Sequence, residues 1–254
     1  MIVASDYVDI KAGGSPMRMF VTAPISPGAH PGILCYSDIF QLTGPMLRAC
    51  IRLAGYGFVT AAPEIYHRIE PLGAAIPFDD RGRTRGLEDA ARTPVAHFDE
   101  DRRAALDFLA KDPRVQQGLD HAQLGAMGFC IGGHLAFRAA LEPDVRATVC
   151  FYGTGIHDGK LGQDSDAGSL SRAAEIRGKL LMVWGGHDPH VPADGRALID
   201  QKLKQAGVDY AVKVYPCEHA FMRDEGPRYD PEAADQAFGD MLGLFRGVFA
   251  PRYT

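Results

Sequence analysis

The sequence predicts an α/β fold, in which a mostly parallel, doubly wound sheet carries helices on both faces. Short apolar, β-branched runs alternate with segments of helical periodicity almost throughout the chain. A length of 254 residues suits one large domain. No repeat, linker or low-complexity tract divides the chain. We therefore expect a single domain over residues 1–254.

The predicted strands are short apolar segments that end near glycine or proline. An antiparallel hairpin is expected first, because Gly13 and Gly14 provide a turn between extended residues 7–10 and 18–21. The strands expected to complete the sheet are residues 32–36, 58–62, 124–127, 147–151, 180–184 and 211–215.

Helices are predicted between these strands, where apolar residues recur three and four positions apart. Leu47, Cys50, Ile51 and Ala54 fall on one face of such a helix, which is followed by glycines. Further helices are predicted over residues 132–140, 193–206 and 234–248.

Residues 64–97 show no sustained periodicity and contain three prolines, so we expect a long surface loop there. The helix after this loop is expected to begin at Asp99, because three consecutive acids suit the positive end of a helix dipole. It is expected to bury Ala105, Phe108 and Leu109.

Charge and composition exclude several classes of protein. Lys and Arg total 27 against 32 Asp and Glu, a net charge of −5, so nucleic acid is not an expected partner. The N-terminus lacks the basic segment of a secretory signal, and the longest stretch without charged residues, 19–37, contains three prolines. Five cysteines without a CxxC pair indicate reduced thiols. We therefore expect a cytoplasmic protein without a membrane partner.

The clearest chemical signal is the Gly-Phe-Cys-Ile-Gly-Gly run over residues 128–133, between an apolar strand and a helix. This is the context of a nucleophile elbow, with Cys130 in place of the usual serine. A side chain at Gly128 or Gly132 would collide with backbone in so sharp a turn. The helix N-terminus also favours negative charge near the sulfur. The alternative is a glycine-rich turn in which Cys130 is simply a small buried residue.

A cysteine nucleophile needs a base and an orienting acid, which proteins with this elbow supply in the order acid, then histidine. Asp188 follows one predicted strand and His219 follows the next. Both therefore lie at the carboxyl ends of parallel strands, where open sheets bind ligands. Taken singly, an Asp before proline is also typical of a turn, and a loop histidine of the surface.

A metal site is the less favoured interpretation of this region. His187 and His190 flank Asp188 and could be imagined to bind a metal together with Cys217 or Glu218. However, the spacing of these residues is not that of known zinc ligands. We expect no metal and no cofactor.

With these motifs the chain closely resembles the dienelactone hydrolase (carboxymethylenebutenolidase) family over nearly its whole length. The resemblance rests on the elbow, on Gly-Gly-His-Asp-Pro-His-Val-Pro at residues 185–192 and on Glu-His-Ala-Phe-Met-Arg at residues 218–223. It implies an α/β-hydrolase fold without a large cap domain, and cofactor-free hydrolysis of a lactone or ester bond. It also implies Cys130 as nucleophile, His219 as base and acid, and Asp188 as orienting acid.

The resemblance implies further site residues. The backbone N–H groups of Ile131 and Ile39 would form the oxyanion hole. Arg223 would hold a substrate carboxylate, and Tyr152 would line the pocket. Asp38 stands where the family has a glutamate that partners the thiol, and its side chain is shorter by about 1.5 Å. We expect Asp38 still to reach the thiol. The alternative is an Asp at the strand end that only binds nearby backbone N–H groups, as Asp commonly does at turns. The candidates for a second substrate-binding arginine are Arg81, Arg83 and Arg85.

Two other functions remain open on the sequence alone. One is a thioesterase or general carboxylesterase that uses the same triad. The other is a non-catalytic α/β protein in which Cys130 senses oxidants, although sensing needs no orienting acid. The expected partner is a small, anionic ester or lactone, and the sequence does not indicate the oligomeric state.

Overall fold

The computed structural model describes residues 1–118 and 121–249. Its strands are β1 (Val3–Ala12), β2 (Ser15–Pro24), β3 (Gly32–Tyr36), β4 (Val59–Pro63), β5 (Leu124–Phe129), β6 (Val145–Phe151), β7 (Lys179–Gly185) and β8 (Tyr210–Tyr215). They form one sheet in the order β1-β2-β4-β3-β5-β6-β7-β8. Strand β2 runs antiparallel to β1 and β4, and all other pairs are parallel. The predicted entry hairpin and mostly parallel sheet are confirmed.

Helices cover both faces of this sheet, as the sequence predicts. They are α1 (Gly44–Gly55), α2 (Asp80–Arg92), α3 (Val95–Lys111), α4 (Ile131–Ala139), α5 (Ala193–Gln205) and α6 (Pro231–Phe249), with a short 3₁₀ helix over Leu170–Glu175. Helices α3, α4 and α5 pack against one face and α1 and α6 against the other. Because side chains alternate along a strand, Leu34 joins the first core while Ile33 and Cys35 join the second.

The expectation of a loop throughout residues 64–97 is wrong, because α2 lies within this segment. Asp79 caps the helix by accepting a hydrogen bond from the Gly82 N–H at 2.6 Å. The buried positions of α2 are Gly82, Gly86, Asp89 and Ala90. Since these residues are small or acidic, the buried face leaves no apolar periodicity in the sequence.

Two details of helix packing also differ from the predictions. Helix α3 begins at Val95 rather than Asp99, and Asp99 instead binds Arg138, with an N–O distance of 2.6 Å. Ala105 and Leu109 are buried as expected, whereas Phe108 is only half-buried. In α1, Ile51 is 39% exposed and Leu53 takes the core position.

No helix within the described ranges has both the length and the apolar character needed to span a membrane.

Candidate active site

Cys130 lies at the sharp turn between β5 and α4, with φ 59° and ψ −122°. Its N–H donates a hydrogen bond to the Phe151 carbonyl at 3.1 Å. A Cβ on Gly128 would lie 2.0 Å from the Gly132 oxygen, and one on Gly132 would lie 2.2 Å from the Ser37 oxygen. These contacts show why the strand and helix can approach so closely only through glycine. The predicted elbow geometry is present.

Backbone strain is concentrated around this turn. The non-glycine residues with positive φ among those described are Gln41, Cys130, Tyr152 and Ala220. Each follows the carboxyl end of a strand, namely β3, β5, β6 or β8. Strained residues of this kind cluster at functional sites. The sequence predicts a strained turn only at Cys130, from its flanking glycines. Tyr152 is expected in the pocket without a signal for strain, and Gln41 and Ala220 have no signal at all.

Asp188 and His219 meet across neighbouring loops after β7 and β8. The Nδ1 atom of His219 lies 2.7 Å from Oδ2 of Asp188, and Oδ1 of Asp188 accepts the His190 N–H at 2.8 Å. Both side chains are buried. Because an ionised carboxylate can only accept, Nδ1 carries the proton and Nε2 is left for another partner.

The charges of the site change the pKa values of both residues. Burial lowers the pKa of His219, but the Cys130 sulfur and the Asp188 carboxylate outweigh burial and raise it to about 9. Burial raises the pKa of Asp188, and its hydrogen bond to His219 brings the net value below the usual range. The arrangement therefore favours an imidazolium held between a carboxylate and a sulfur.

Two backbone N–H groups near Cys130 are available to an oxyanion. Among the hydrogen bonds of the described residues, none engages the N–H of Ile39 or Ile131. Both residues line the same cavity as Cys130. Ile131 is the first residue of α4, so its N–H also lies at the positive end of the helix dipole.

Asp38 and Arg223 form an ion pair beside this turn. Nη1 of Arg223 donates to Oδ2 of Asp38 at 3.3 Å, and Oδ1 of Asp38 accepts the Phe40 N–H at 3.0 Å. The Arg223 guanidinium lies over the rings of Phe40 and Phe78, at 5.1 and 4.7 Å from their centroids. Burial raises the pKa of Asp38, although Arg223 opposes the rise. The contact between Asp38 and the thiol stays a prediction.

A cavity of about 390 Å³ opens at the carboxyl edge of the sheet, within the range of ligand-binding pockets. Its wall includes Cys130, His219 and Arg223, together with one face of α2 and the loop over residues 154–162. Of the three arginines left open by the sequence, Arg83 lines the cavity. Arg85 instead binds Glu70, and Arg81 is exposed outside the cavity wall.

Tyr152 lies beside the cavity rather than in its wall. Its ring packs edge-on against His219, with centroids 4.9 Å apart, and it lines a small adjoining cavity that also contains Asp38 and Arg223. A direct contact between Tyr152 and substrate stays a prediction.

Other residues of the cavity wall had no clear sequence signal. His190 was considered only as a metal ligand, yet it lines the cavity and its ring lies 4.7 Å from that of His219. His157 and Arg228 also line it. The described part of the chain contains no group of three or more His, Cys, Asp or Glu side chains arranged to hold a metal ion.

The model of the dienelactone hydrolase family matches residues 17–249. The chain therefore belongs to this family, and it is a hydrolase that acts on ester or lactone bonds.

Similar proteins extend over nearly the whole chain. A Saccharomyces cerevisiae protein, provisionally named a carboxymethylenebutenolidase, is 34% identical over 96% of this chain and 92% of its own length. A carboxymethylenebutenolidase of Pseudomonas sp. strain P51 is 27% identical over 97% of this chain and 96% of its own.

The fold is shared with solved structures. A Klebsiella pneumoniae protein, provisionally described as a dienelactone hydrolase, has a TM-score of 0.83 at 24% identity and covers 96% of this chain and 99% of its own. The dienelactone hydrolase of Anabaena variabilis has a TM-score of 0.69 at 16% identity, covering 97% and 98%. These likenesses identify the α/β-hydrolase fold expected from the sequence.

Proposed function

We propose that the enzyme hydrolyses a carboxylate-bearing lactone or ester through Cys130, His219 and Asp188, with a thioester acyl-enzyme as the intermediate. The observation that carries this proposal is the strained turn of Cys130 beside a histidine whose Nδ1 lies 2.7 Å from a buried carboxylate. This is the nucleophile, base and orienting acid of covalent acyl transfer.

In the first half-reaction, the Cys130 thiol gives its proton to Asp38, its sulfur forms a bond to the substrate carbonyl carbon, and the carbonyl oxygen becomes an oxyanion. The N–H groups of Ile39 and Ile131 donate hydrogen bonds to this oxyanion. The C–O bond then breaks, and His219 gives its proton to the leaving oxygen. In a lactone this oxygen stays attached to the acyl group, so the ring opens on the enzyme.

In the second half-reaction, His219 takes a proton from water while the water oxygen attacks the thioester carbon. The C–S bond breaks, the carboxylic acid product leaves, and the Cys130 sulfur recovers its proton from Asp38. Asp188 holds the imidazole in orientation and stabilises its protonated form.

In the resting enzyme, Asp38 is engaged by Arg223, so it does not take the proton of the Cys130 thiol, and the thiol stays protonated. A substrate carboxylate that binds Arg223 competes with Asp38 for the guanidinium. Asp38, whose pKa burial already raises, then becomes the better acceptor for the Cys130 proton. Arg83 adds positive charge to the cavity wall from α2, and Tyr152 keeps His219 in place.

The unsaturated lactone with a carboxylate that gives carboxymethylenebutenolidases their name is the substrate class that this site and its relatives support best. The five free thiols further support a reducing compartment such as the cytoplasm.

Thiol-dependent turnover tests the proposal. The enzyme, with and without iodoacetamide treatment, is incubated with p-nitrophenyl acetate and with a carboxylate-bearing unsaturated lactone. Loss of both activities after alkylation supports the mechanism, and a wild-type rate in the alkylated enzyme rejects it. A preference for thioesters over the lactone would favour the thioesterase alternative.

A further inference from the structure

The cavity carries more positive than negative charge on its wall. The Lys and Arg side chains of the wall are those of Arg83, Lys160, Arg223 and Arg228. Its acidic side chains are those of Asp38 and Asp158. Each acid already has a partner, because Arg223 lies 3.3 Å from Asp38 and Lys160 lies 3.0 Å from Asp158. The ion pairs of the described residues include none with Arg83 or Arg228. Two positive charges are therefore uncompensated.

Arg228 is the more constrained of these two arginines. It lies half-buried in the loop between His219 and α6, whereas Arg83 is exposed on α2. Arg68 and Arg138, which are also of low exposure, bind Asp101 and Asp99. The half-buried Arg146 and Arg196 bind the Gln123 side chain and backbone carbonyls instead. Among the hydrogen bonds and ion pairs of the described residues, none engages the Arg228 guanidinium. Because a guanidinium that has lost part of its water needs acceptors, an unmatched Arg228 on a cavity wall indicates an anionic ligand.

Arg228 and Arg223 have different surroundings on the cavity wall. Arg223 is held by Asp38, at 3.3 Å, and lies over the rings of Phe40 and Phe78. Arg228 follows it in the chain, in the loop before α6, and lines the cavity without a partner among the described ion pairs. Burial and the charge of His219 lower the pKa of His190, Asp188 opposes this, and Arg228 and Arg83 add to the lowering. The cavity wall thus has two points of positive charge, one paired with an acid and one unpaired.

The volume allows both points to be used at once. Cavities of about 390 Å³ accommodate ligands larger than a single lactone ring with one carboxylate. A substrate whose ester group lies over Cys130 can therefore extend one anionic group to Arg223 and another towards Arg228.

We propose that Arg228 binds a second anionic group of the substrate, so that the enzyme prefers esters or lactones with two anionic groups over those with one. This inference rests on the proposed function, in which Arg223 holds the first carboxylate. Arg83 adds charge to the cavity wall without making the contact.

A matched series of rigid esters tests the inference. The mono-p-nitrophenyl esters of benzoate, isophthalate and benzene-1,3,5-tricarboxylate carry zero, one and two free carboxylates on the same ring. We expect kcat/KM to be about tenfold higher for the ester with two carboxylates than for the ester with one, since charge-assisted hydrogen bonds are worth at least this factor. Arg228→Gln removes this ratio mainly through KM, and Arg228→Lys restores part of it.

Arg81→Gln is the matched control, because it removes an exposed arginine of α2 outside the cavity wall. In this variant the ratio of kcat/KM for the ester with two carboxylates to that for the ester with one stays at the wild-type value. The inference is overturned if wild-type enzyme has no preference for the second carboxylate, if Arg228→Gln keeps the preference, or if Arg81→Gln loses it equally.

Failure of the mechanism is recognised separately. If Cys130→Ala hydrolyses the benzoate ester like wild type, the proposed function is wrong. The inference is then decided by calorimetric titration with benzene-1,3,5-tricarboxylate and isophthalate. A tighter Kd for the tricarboxylate that depends on Arg228 supports it, and equal Kd values overturn it.

Discussion

Gly86 of α2 packs directly against the backbone of Ile39. A Cβ on Gly86 would lie 2.4 Å from the Ile39 carbonyl oxygen. The loop after β3, which contains Ile39, is also bonded to the segment before α2. The Ile76 N–H donates to the Phe40 carbonyl at 3.1 Å, and the side-chain amide of Gln41 donates to the Ala74 carbonyl at 3.0 Å. The helix that covers the cavity is thus coupled to the loop that carries a proposed oxyanion donor.

This contact predicts an unusual effect of Gly86→Ala. Alanine normally stabilises a helix interior by about 0.5–1 kcal/mol relative to glycine. Here the added methyl group must push α2 and Ile39 apart, which displaces the N–H of Ile39. We expect kcat to fall by about tenfold or more, since loss of an oxyanion donor costs roughly 10²- to 10³-fold.

Gly243→Ala provides the control for this prediction. Gly243 lies within α6, and a Cβ there meets no atom within 4 Å. We expect a higher melting temperature and wild-type kcat. If Gly86→Ala behaved in the same way, α2 would not restrain the oxyanion loop.

Local patterns in the sequence predict much of this structure. The strands and the Cys130 elbow depend on short-range apolar runs and on glycines that neighbouring backbone requires. Helix α2 could not be found in this way, because its buried face is formed by Gly82, Gly86, Asp89 and Ala90. Its stability comes from a cap and from tertiary contacts, which leave no periodic signal.

The less predictable part of the site is assembled from distant segments. Arg83, His190 and Arg228 meet around one cavity although they belong to three separate loops or helices. Which of Arg81, Arg83 and Arg85 faces this cavity depends on the rotation of a helix that the sequence pattern does not reveal. The proposed triad residues could be predicted from the sequence because their motifs are local and follow known chain order.

Arg223→Lys tests the carboxylate clamp. Lysine keeps the charge but cannot form two parallel hydrogen bonds with a carboxylate, so the isophthalate ester should lose about tenfold more kcat/KM than the uncharged benzoate ester. Arg172→Lys, which alters a surface pair with Glu175, is the control and should change neither value. Equal losses on the two esters would point to a structural role for Arg223.

Asp38→Asn tests the resting state of the thiol. A nearby anion disfavours the thiolate, so its removal should make Cys130 easier to ionise. We expect iodoacetamide to alkylate the variant at lower pH than wild type, and ester turnover to be slower. Asp158→Asn, which removes another acid of the cavity wall, should leave the alkylation profile in place. Unchanged profiles in Asp38→Asn between about pH 5 and 9 would leave Cys130 and His219 as the working pair.

The raised pKa of His219 predicts a pH dependence. The nuclear magnetic resonance signal of its Cε1–H should titrate near pH 9, and Cys130→Ala should lower that pKa because the sulfur is one of its causes. A wild-type titration near the ordinary value of about 6.5 would contradict the pairing.

The same shift affects stability. Since the pKa of His219 is higher in the folded than in the unfolded chain, its contribution to stability is complete below about pH 6.5 and is lost as pH rises through about 9. In urea unfolding, the free energy of unfolding of wild type should exceed that of His219→Gln at pH 6. At pH 10 this difference should be smaller. A difference that grew with pH would reverse this interpretation.

The thioester on Cys130 is tested most directly by intact-protein mass spectrometry of enzyme quenched in acid during turnover of p-nitrophenyl acetate. We expect one acetyl group per chain, mapped to Cys130, removed by hydroxylamine and absent from Cys130→Ala, whose kcat falls by about 10³-fold or more. Cys217→Ala should keep the adduct, because that sulfur contacts Asp230 instead, at 3.5 Å. An acetyl group on another residue, or near-wild-type hydrolysis by Cys130→Ala, would contradict the mechanism.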